Sequence, residues 1–437
     1  MERKDLTGVA VWVVGLLGVI VLLFVWMAIQ KADLAREEQT RAELAQVEAE
    51  AAALSNPLPV APPPHPVRSR NQALAAGVAF LLKQQSPDGA WRSDIYATFK
   101  DGLALTPLVV CALQAAVDAG TRDPDSTAAR RKGSDYLARM VKADGTLDCG
   151  ESGLDYPVYT AAQAVKALSH PENGHSIKAR DAWLTYLRDR QLTEKLGWKS
   201  DDKAYGGWGY CRLIPSKPEP NAIAPPLVES NLSATVFALD ALRTAGVTDW
   251  GVSEKALIFV SRCQNFVSTL GCTMSPPHLD GGFFFVYDDP VRNKAGSLES
   301  PPDKPERFHS YGSATADGFR ALRLCGEADQ ERALVAGSWL QYHFRADTHP
   351  GNYIPAHERN REAVYYYYAA SVSRAFREGH LALPDGRDWS AELTASLTKR
   401  QRVDGSWANP VELVRENDPI VATSNALTAL ATTTPTK

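Results

Sequence analysis

The chain has 437 residues, 44% hydrophobic and 22% charged, with a formal net charge of -4. That is globular composition with room for a large core, and the absence of a Lys/Arg-rich block argues against a nucleic-acid partner. Six cysteines without a CxxC pair give no zinc-site spacing, so no metal and no cofactor is expected.

Residues 7–29, TGVAVWVVGLLGVIVLLFVWMAI, carry no charge. At about 1.5 Å per residue the run reaches about 35 Å, enough to cross a hydrocarbon layer of about 30 Å. Trp12 and Trp26 stand near its ends, where indoles favour an interface. A cleaved signal peptide is the competing reading, but the apolar run is long for one and no small-x-small site follows it. Residues 1–30 are therefore read as an N-terminal transmembrane anchor, with the membrane as a partner. The short tail before the span, holding Arg3 and Lys4, suggests a single-pass protein with its body on the extracytoplasmic side. Residues 31–56, rich in Ala, Glu, Leu and Arg, read as a charged helical stalk. Residues 57–70 form a Pro-rich linker, because six prolines from Pro57 to Pro66 cannot continue a helix and set an extended spacer. The body is expected over 71–437.

Within the body the apolar periodicity is helical. The stretch AGVAFLLKQQSPDGAW (76–91) recurs as KGSDYLARMVKADGTL (132–147) and AELTASLTKRQRVDGSW (391–407). Looser turns occur at AYGGWGY (204–210), LDGGFFF (279–285) and HPGNY (349–353), which makes six. Each turn precedes an apolar, small-residue-rich helix, predicted over 103–117, 156–168, 231–247, 310–326, 362–376 and 419–431. The helices before the turns carry more charge, as helices with one solvent face should. The pattern predicts an all-α fold: an α/α toroid of six hairpins, each with one outer and one inner helix, closed rather than solenoidal. In the turns, Gln85 and Gln401 are placed to bond backbone groups left unpaired at helix ends, and Trp91 and Trp407 to cover the neighbouring hairpin.

The pattern Gly-x-x-aromatic-Leu-x3-Gln-x3-Gly-x-Trp, complete over Gly77–Trp91 and partial over 132–147 and 393–407, resembles the QW repeat of squalene and oxidosqualene cyclases. The looser Gly-Gly-aromatic turns resemble the repeats of protein prenyltransferase β subunits. The resemblance covers about 71–432. It implies a central apolar cavity lined by the N-terminal ends of the inner helices, and an isoprenoid or other lipid as ligand. The catalytic motifs diverge. Where the cyclases carry Asp-x-Asp-Asp-Thr-Ala to protonate an alkene, this chain reads VESNLSAT (228–235), with Asn231 among the replacements. The Asp-x-Cys of zinc prenyltransferases is not found. The stretch DCGES, Cys149 to Ser152, lacks the Gln that a Cys-Gly-Glu-Gln thioester needs.

Other residues can supply chemistry. Asp317, six residues into an inner helix, and the Asp288–Asp289 pair of GGFFFVYDDP are the candidate acids. Against them stand a hydrogen-bonded structural Asp and a solvated Asp-Asp-Pro turn. The expected cavity set is His309, Tyr311 and Thr315 at the start of the same inner helix, Tyr365 and Tyr366 from VYYYYAA, Asn231 and Trp208. Only one or two of the four consecutive tyrosines can face a cavity; the others pack between hairpins. Cys263 and Cys272 flank a loop and could pair in an oxidising compartment. The leading functional reading is a membrane-anchored terpene cyclase/prenyltransferase-like toroid that binds an isoprenoid or other lipid. A non-enzymatic interaction module on a stalk is one alternative. A glycan-active toroid is another; it needs two carboxylates about 5–10 Å apart.

Overall fold

The structure, a computed structural model, describes residues 67–433 apart from 151–152, 174–175, 220–221, 223, 268–277, 288 and 299–306. Its long helices are α1 (Arg70–Lys83), α2 (Leu105–Asp118), α3 (Pro124–Ala138), α4 (Pro157–Ser169), α5 (Ile177–Arg188), α6 (Leu232–Thr244), α7 (Trp250–Arg262), α8 (Gly312–Leu324), α9 (Glu331–His343), α10 (Tyr365–Gly379), α11 (Trp389–Arg400) and α12 (Pro419–Thr432). A single turn, Asn360–Ala363, leads into α10, and one two-residue antiparallel ladder joins Ser297–Leu298 to Arg307–Phe308.

The even-numbered helices form the inner layer. Each packs on the next, from α2 through α4, α6, α8 and α10 to α12, and α12 returns to α2, so the ring is closed. Burial follows from that position. Along α8 every residue from Gly312 to Leu322 is buried, whereas outer α5 buries only Ala179, Ala182, Trp183 and Leu187. A helix packed on both sides has no solvent face and needs small residues; a helix packed on one side keeps a charged one. Local signals fix the starts. Ser69 and Gln72 form a capping box on α1, and Asp123 and Asp418 cap α3 and α12 immediately before a proline. Each inner helix lies within three residues of its predicted span.

The turns join neighbouring hairpins. Gln85 Nε2 donates to Gly89 O within its own turn and to Ala129 O on α3. Gln401 Nε2 donates to Gly405 O and to Ala73 O on α1, which fastens the last hairpin to the first. Trp91 and Trp407 donate their indole N–H groups to Leu81 O and Leu397 O at the ends of their own outer helices. The rings then lie on the next outer helix, where Gly133 and Gly77 make room. A Cβ at either glycine would sit 2.9 Å from the indole. The leading Gly of the repeat is thus a seat for the preceding hairpin's tryptophan.

The membrane assignment is corrected. Among the described residues no helix is long and apolar enough to cross a membrane, so the single-pass localisation expected from the sequence is not supported. The apolar run 7–29, the stalk and most of the proline linker lie outside the described residues. Cys263 is buried at the end of α7, and Cys272, its expected partner, lies outside the described residues.

Candidate functional site

The N-terminal ends of the inner helices converge on a chamber of about 460 Å³, within the range of small-molecule sites. Each inner helix contributes a residue from its first turn or cap: Leu105, Tyr156, Ser233, Ser313, Val364 and Val421. The wall is mainly aromatic and aliphatic. Tyr159 meets Phe237 edge-on at 5.0 Å, Phe237 meets Tyr367 at 6.2 Å, and Tyr156 meets Tyr210 at 6.3 Å. Three non-glycine residues in the lining hold left-handed backbone, Tyr156 (φ 48°), Leu227 (φ 59°) and Arg415 (φ 67°). Such conformations are costly and concentrate where side-chain placement matters.

Asp317 stands in this wall, 3% exposed, on the second turn of α8. The Tyr367 hydroxyl donates to its Oδ2 at 2.6 Å and the Ser371 hydroxyl donates to its Oδ1. Both donors come from α10, the next inner helix. Burial pushes the Asp317 carboxyl up to about 6, against the pull of those two hydroxyls and of Arg320 and Arg374. A fraction of the carboxyl therefore keeps its proton close to neutral pH, available to whatever occupies the chamber. Behind Asp317 lies a small void of about 30 Å³ lined by Gln163, Arg374 and Asn425. Further along, the C-terminal halves of the inner helices are crossed by ion pairs. Lys166 of α4 pairs with Asp240 of α6, Asp240 lies 3.5 Å from Arg320 of α8, and Arg320 forks onto both carboxylate oxygens of Glu378 of α10, each at 3.0 Å. Burial opposes the charge on Asp240, but Lys166, Arg320 and Arg374 outweigh it and hold the carboxyl far below its usual range.

A second carboxyl, Glu416, lines the chamber. Its oxygens accept the backbone N–H groups of Tyr366 and Tyr367 at the start of α10, at 2.9 and 2.6 Å. Burial nonetheless pushes it up to about 8.

The other expected residues divide between the chamber and the scaffold. Tyr311 caps α8 and lines the chamber. Of the four tyrosines it is Tyr367 that faces the chamber. Tyr365 instead donates to Ala346 O, Tyr368 donates to Arg345 O, and Tyr366 is buried outside the lining. Thr315 is occupied in the turn scaffold, where its Oγ1 accepts Phe283 N and donates to Tyr311 O. Thr106, Thr235 and Thr423 accept the equivalent N–H of Trp91, Trp208 and Trp407. Trp208 is fully buried in its turn and donates to Leu187 O. Asn231 caps α6 by accepting Ala234 N; neighbouring Ser233 is the chamber residue there. His309 lies in a separate polar pocket of about 270 Å³ with Asn265, Asp280 and Ser310, and burial lowers its pKa. Asp289 caps a turn by accepting Val291 N and Arg292 N, and Asp288 lies outside the described residues. Sequence reasoning missed Tyr367, Ser371, Glu416, Arg292 and Arg415. Ser371 and Tyr367 stand four apart on one helix, a spacing that puts both on one face.

No family model matches the sequence, and a search of curated proteins returned no match. Among solved structures, the chain is similar to the type II terpene cyclase MstE from Scytonema. In its complex with geranylgeranyl dihydroxybenzoate, the substrate, identity is 14%, with 84% of this chain and 97% of that one covered and a TM-score of 0.52. In its complex with merosterolic acid A, the product, identity is 14%, coverage 83% and 96%, and the TM-score 0.53. The fold is type II terpene cyclase-like. Identity this low establishes the architecture alone, so the chemistry of this terpene cyclase-like ring rests on its own residues. In it the 228–235 stretch supplies a helix cap, and the buried carboxyls of the chamber are Asp317 on α8 and Glu416.

Proposed function

We propose that the ring binds an isoprenoid chain in its central chamber and that Asp317 protonates it, a terpene cyclase-like isomerisation. We further propose that the Gln/Trp turns make the chain a divergent member of the QW-repeat group. The observation that carries the reading is a buried carboxyl, held by two hydroxyl donors, in a wall that is mainly aromatic and aliphatic. Burial favours the protonated form, while the Tyr367 and Ser371 hydroxyls stabilise the carboxylate left after transfer. An apolar ligand that displaces water from the chamber raises the carboxyl further. In the step proposed, the Asp317 O–H bond breaks and the alkene π electrons form the new C–H bond. A tertiary cation remains. Aromatic faces such as Phe237 and Tyr159 can stabilise it, and a neighbouring alkene closes the ring. Loss of one proton gives a neutral isomer, with no oxidant or second substrate required. An open apolar chamber supports this reading over an interaction module with a filled centre.

Equilibrium dialysis of geranylgeraniol against the full chain tests the binding half. Saturable uptake is expected, and Ala314→Phe, which fills chamber space, should weaken it about tenfold. Failure of the folded wild-type chain to take up the alcohol overturns the proposal.

A further inference from the structure

We infer that Cys149 is a modification site, where a peroxide oxidises the thiol to a sulfenic acid whose oxygen is held by Arg190. The inference is independent of what the chamber binds.

Arg190 follows α5 and is 4% exposed. Its guanidinium lies 3.7 Å over the Tyr186 ring, and its Nη2 donates to Arg212 O at 3.1 Å. Its Nε and Nη1 are buried with no hydrogen-bond partner among the described residues. No carboxylate pairs with it there either. Two thiols, Cys149 and Cys211, feel its charge. Their loops are pinned together. Arg212 donates to Gly153 O and pairs with Asp155, each at 3.4 Å. A Cβ at Gly153 would sit 2.4 Å from Arg212 O. Cys149 is partly exposed and Cys211 is 8% exposed, so a solute reaches Cys149 first. Burial raises the Cys149 pKa, while the Tyr186 hydroxyl and the Arg190 charge draw it back. Burial pushes Cys111 and Cys325 up to about 11 and about 12.

A desolvated guanidinium with two idle N–H groups is an incomplete arrangement. A neutral thiol is a weak acceptor, whereas an anionic oxygen takes charge-assisted hydrogen bonds. Partly exposed thiols beside a cation are the ones that oxidise. In the step proposed, the thiol gives its proton to solvent and the sulfur attacks hydrogen peroxide. The S–O bond forms and the O–O bond breaks, so sulfur loses two electrons and peroxide gains them. The leaving hydroxide takes the sulfenic proton and departs as water, and the sulfenate remains on Arg190. The site borders the chamber. The Cys149 loop runs into Tyr156 and Cys211 follows Tyr210, two lining residues that meet at 6.3 Å. The competing explanation is that Arg190 only packs on Tyr186.

The test treats the full chain with hydrogen peroxide in the presence of dimedone, a sulfenic-acid trap, and follows each cysteine by peptide mass spectrometry. Cys149 is expected to react about tenfold faster than Cys111, and to slow about tenfold in Arg190→Gln. Either a dimedone adduct on Cys149 or a Cys149–Cys211 disulfide counts as reaction, because both pass through the sulfenic acid. Cys149 reacting no faster than Cys111, or undiminished in folded Arg190→Gln, overturns the inference. If that variant does not fold, the wild-type chain decides. Faster oxidation of Cys149 in the folded chain than in urea at the same pH supports activation by its surroundings, and slower oxidation overturns it.

Discussion

The closure of the ring can be tested at Gly405. This residue holds φ +90°, and a Cβ there would lie 2.4 Å from Ala76 O and 2.8 Å from Ala76 C, both backbone atoms of α1. A backbone carbonyl in a helix cannot rotate aside, so Gly405→Ala must part the last hairpin from the first. The left-handed conformation costs an alanine about 1–2 kcal/mol, and forced overpacking adds about 1–3 kcal/mol. Gly145 is the internal control. It holds φ +87° in the matching turn of the second hairpin, but a Cβ there would meet no atom within 4 Å. Gly145→Ala should therefore cost only the conformational share, about 1–2 kcal/mol. With an unfolding entropy of about 2.1 cal/mol/K per residue, a body of roughly 370 residues loses about 1 °C of Tm per 0.8 kcal/mol. Calorimetry on the two variants should then show a fall of about 3–6 °C for Gly405→Ala and about 1–3 °C for Gly145→Ala. Equal shifts would refute the argument that this turn, through its contact with α1, locks the ring.

Three further outcomes follow from the buried charges. Asp240→Ala strands Lys166 and leaves Arg320 with Glu378 as its remaining carboxylate partner, and should cost about 3 kcal/mol in urea denaturation; a loss under 1 kcal/mol would show that the ion pairs crossing the inner helices carry little. Glu416, whose ordinary carboxyl value of 4.5 is pushed up to about 8 by burial, holds an extra proton in the native state across that window. Its contribution is full below about 4.5 and is lost as pH rises through 8, so Glu416→Gln should gain stability relative to wild type between pH 5 and pH 8. A pH-independent difference between the two proteins would contradict this. Tyr367→Phe removes a donor that lowers the Asp317 pKa, so the Asp317 carboxyl band followed by infrared titration should move its midpoint above about 6; an unmoved midpoint would place the Tyr367 hydroxyl elsewhere in solution.

The architecture is largely legible in the sequence because its two determinants are local. Inner helices announce themselves by a predominance of small and apolar residues, and the tight turns by Gln, Gly and Trp at short intervals. Two staples are not legible. Gln191 and Gln264 perform the same task as Gln85 and Gln401, donating to Gly206 O and Val252 O and to Gly281 O and Arg332 O. Their partners in the turn stand 15 and 17 residues away instead of four, so the short motif does not register. At the site, Asp317 can be singled out from its position on an inner helix. Its partners cannot, because Tyr367 and Ser371 come from the next helix in the ring. Which tyrosine of Tyr365–Tyr368 faces inward depends on a helix rotation set by packing; the sequence pattern points to Tyr365 and Tyr366, and the rotation instead turns Tyr367 inward. Thr315 and Trp208 mislead for a different reason. They sit at inner-helix starts and turns, as chamber residues do, but the repeat uses both positions for its own hydrogen bonds.

The most direct test of the central proposal is turnover in D2O. The full chain is incubated with geranylgeraniol, geranylgeranoic acid and geranylgeranyl monophosphate, and products are read by mass spectrometry beside those of Asp317→Asn. The expected result is a cyclised isomer carrying one deuterium from the initiating proton transfer, with its formation lost in Asp317→Asn. Absence of any cyclised product from these probes, a product without deuterium, or undiminished turnover by Asp317→Asn would contradict the assignment of Asp317 as the acid.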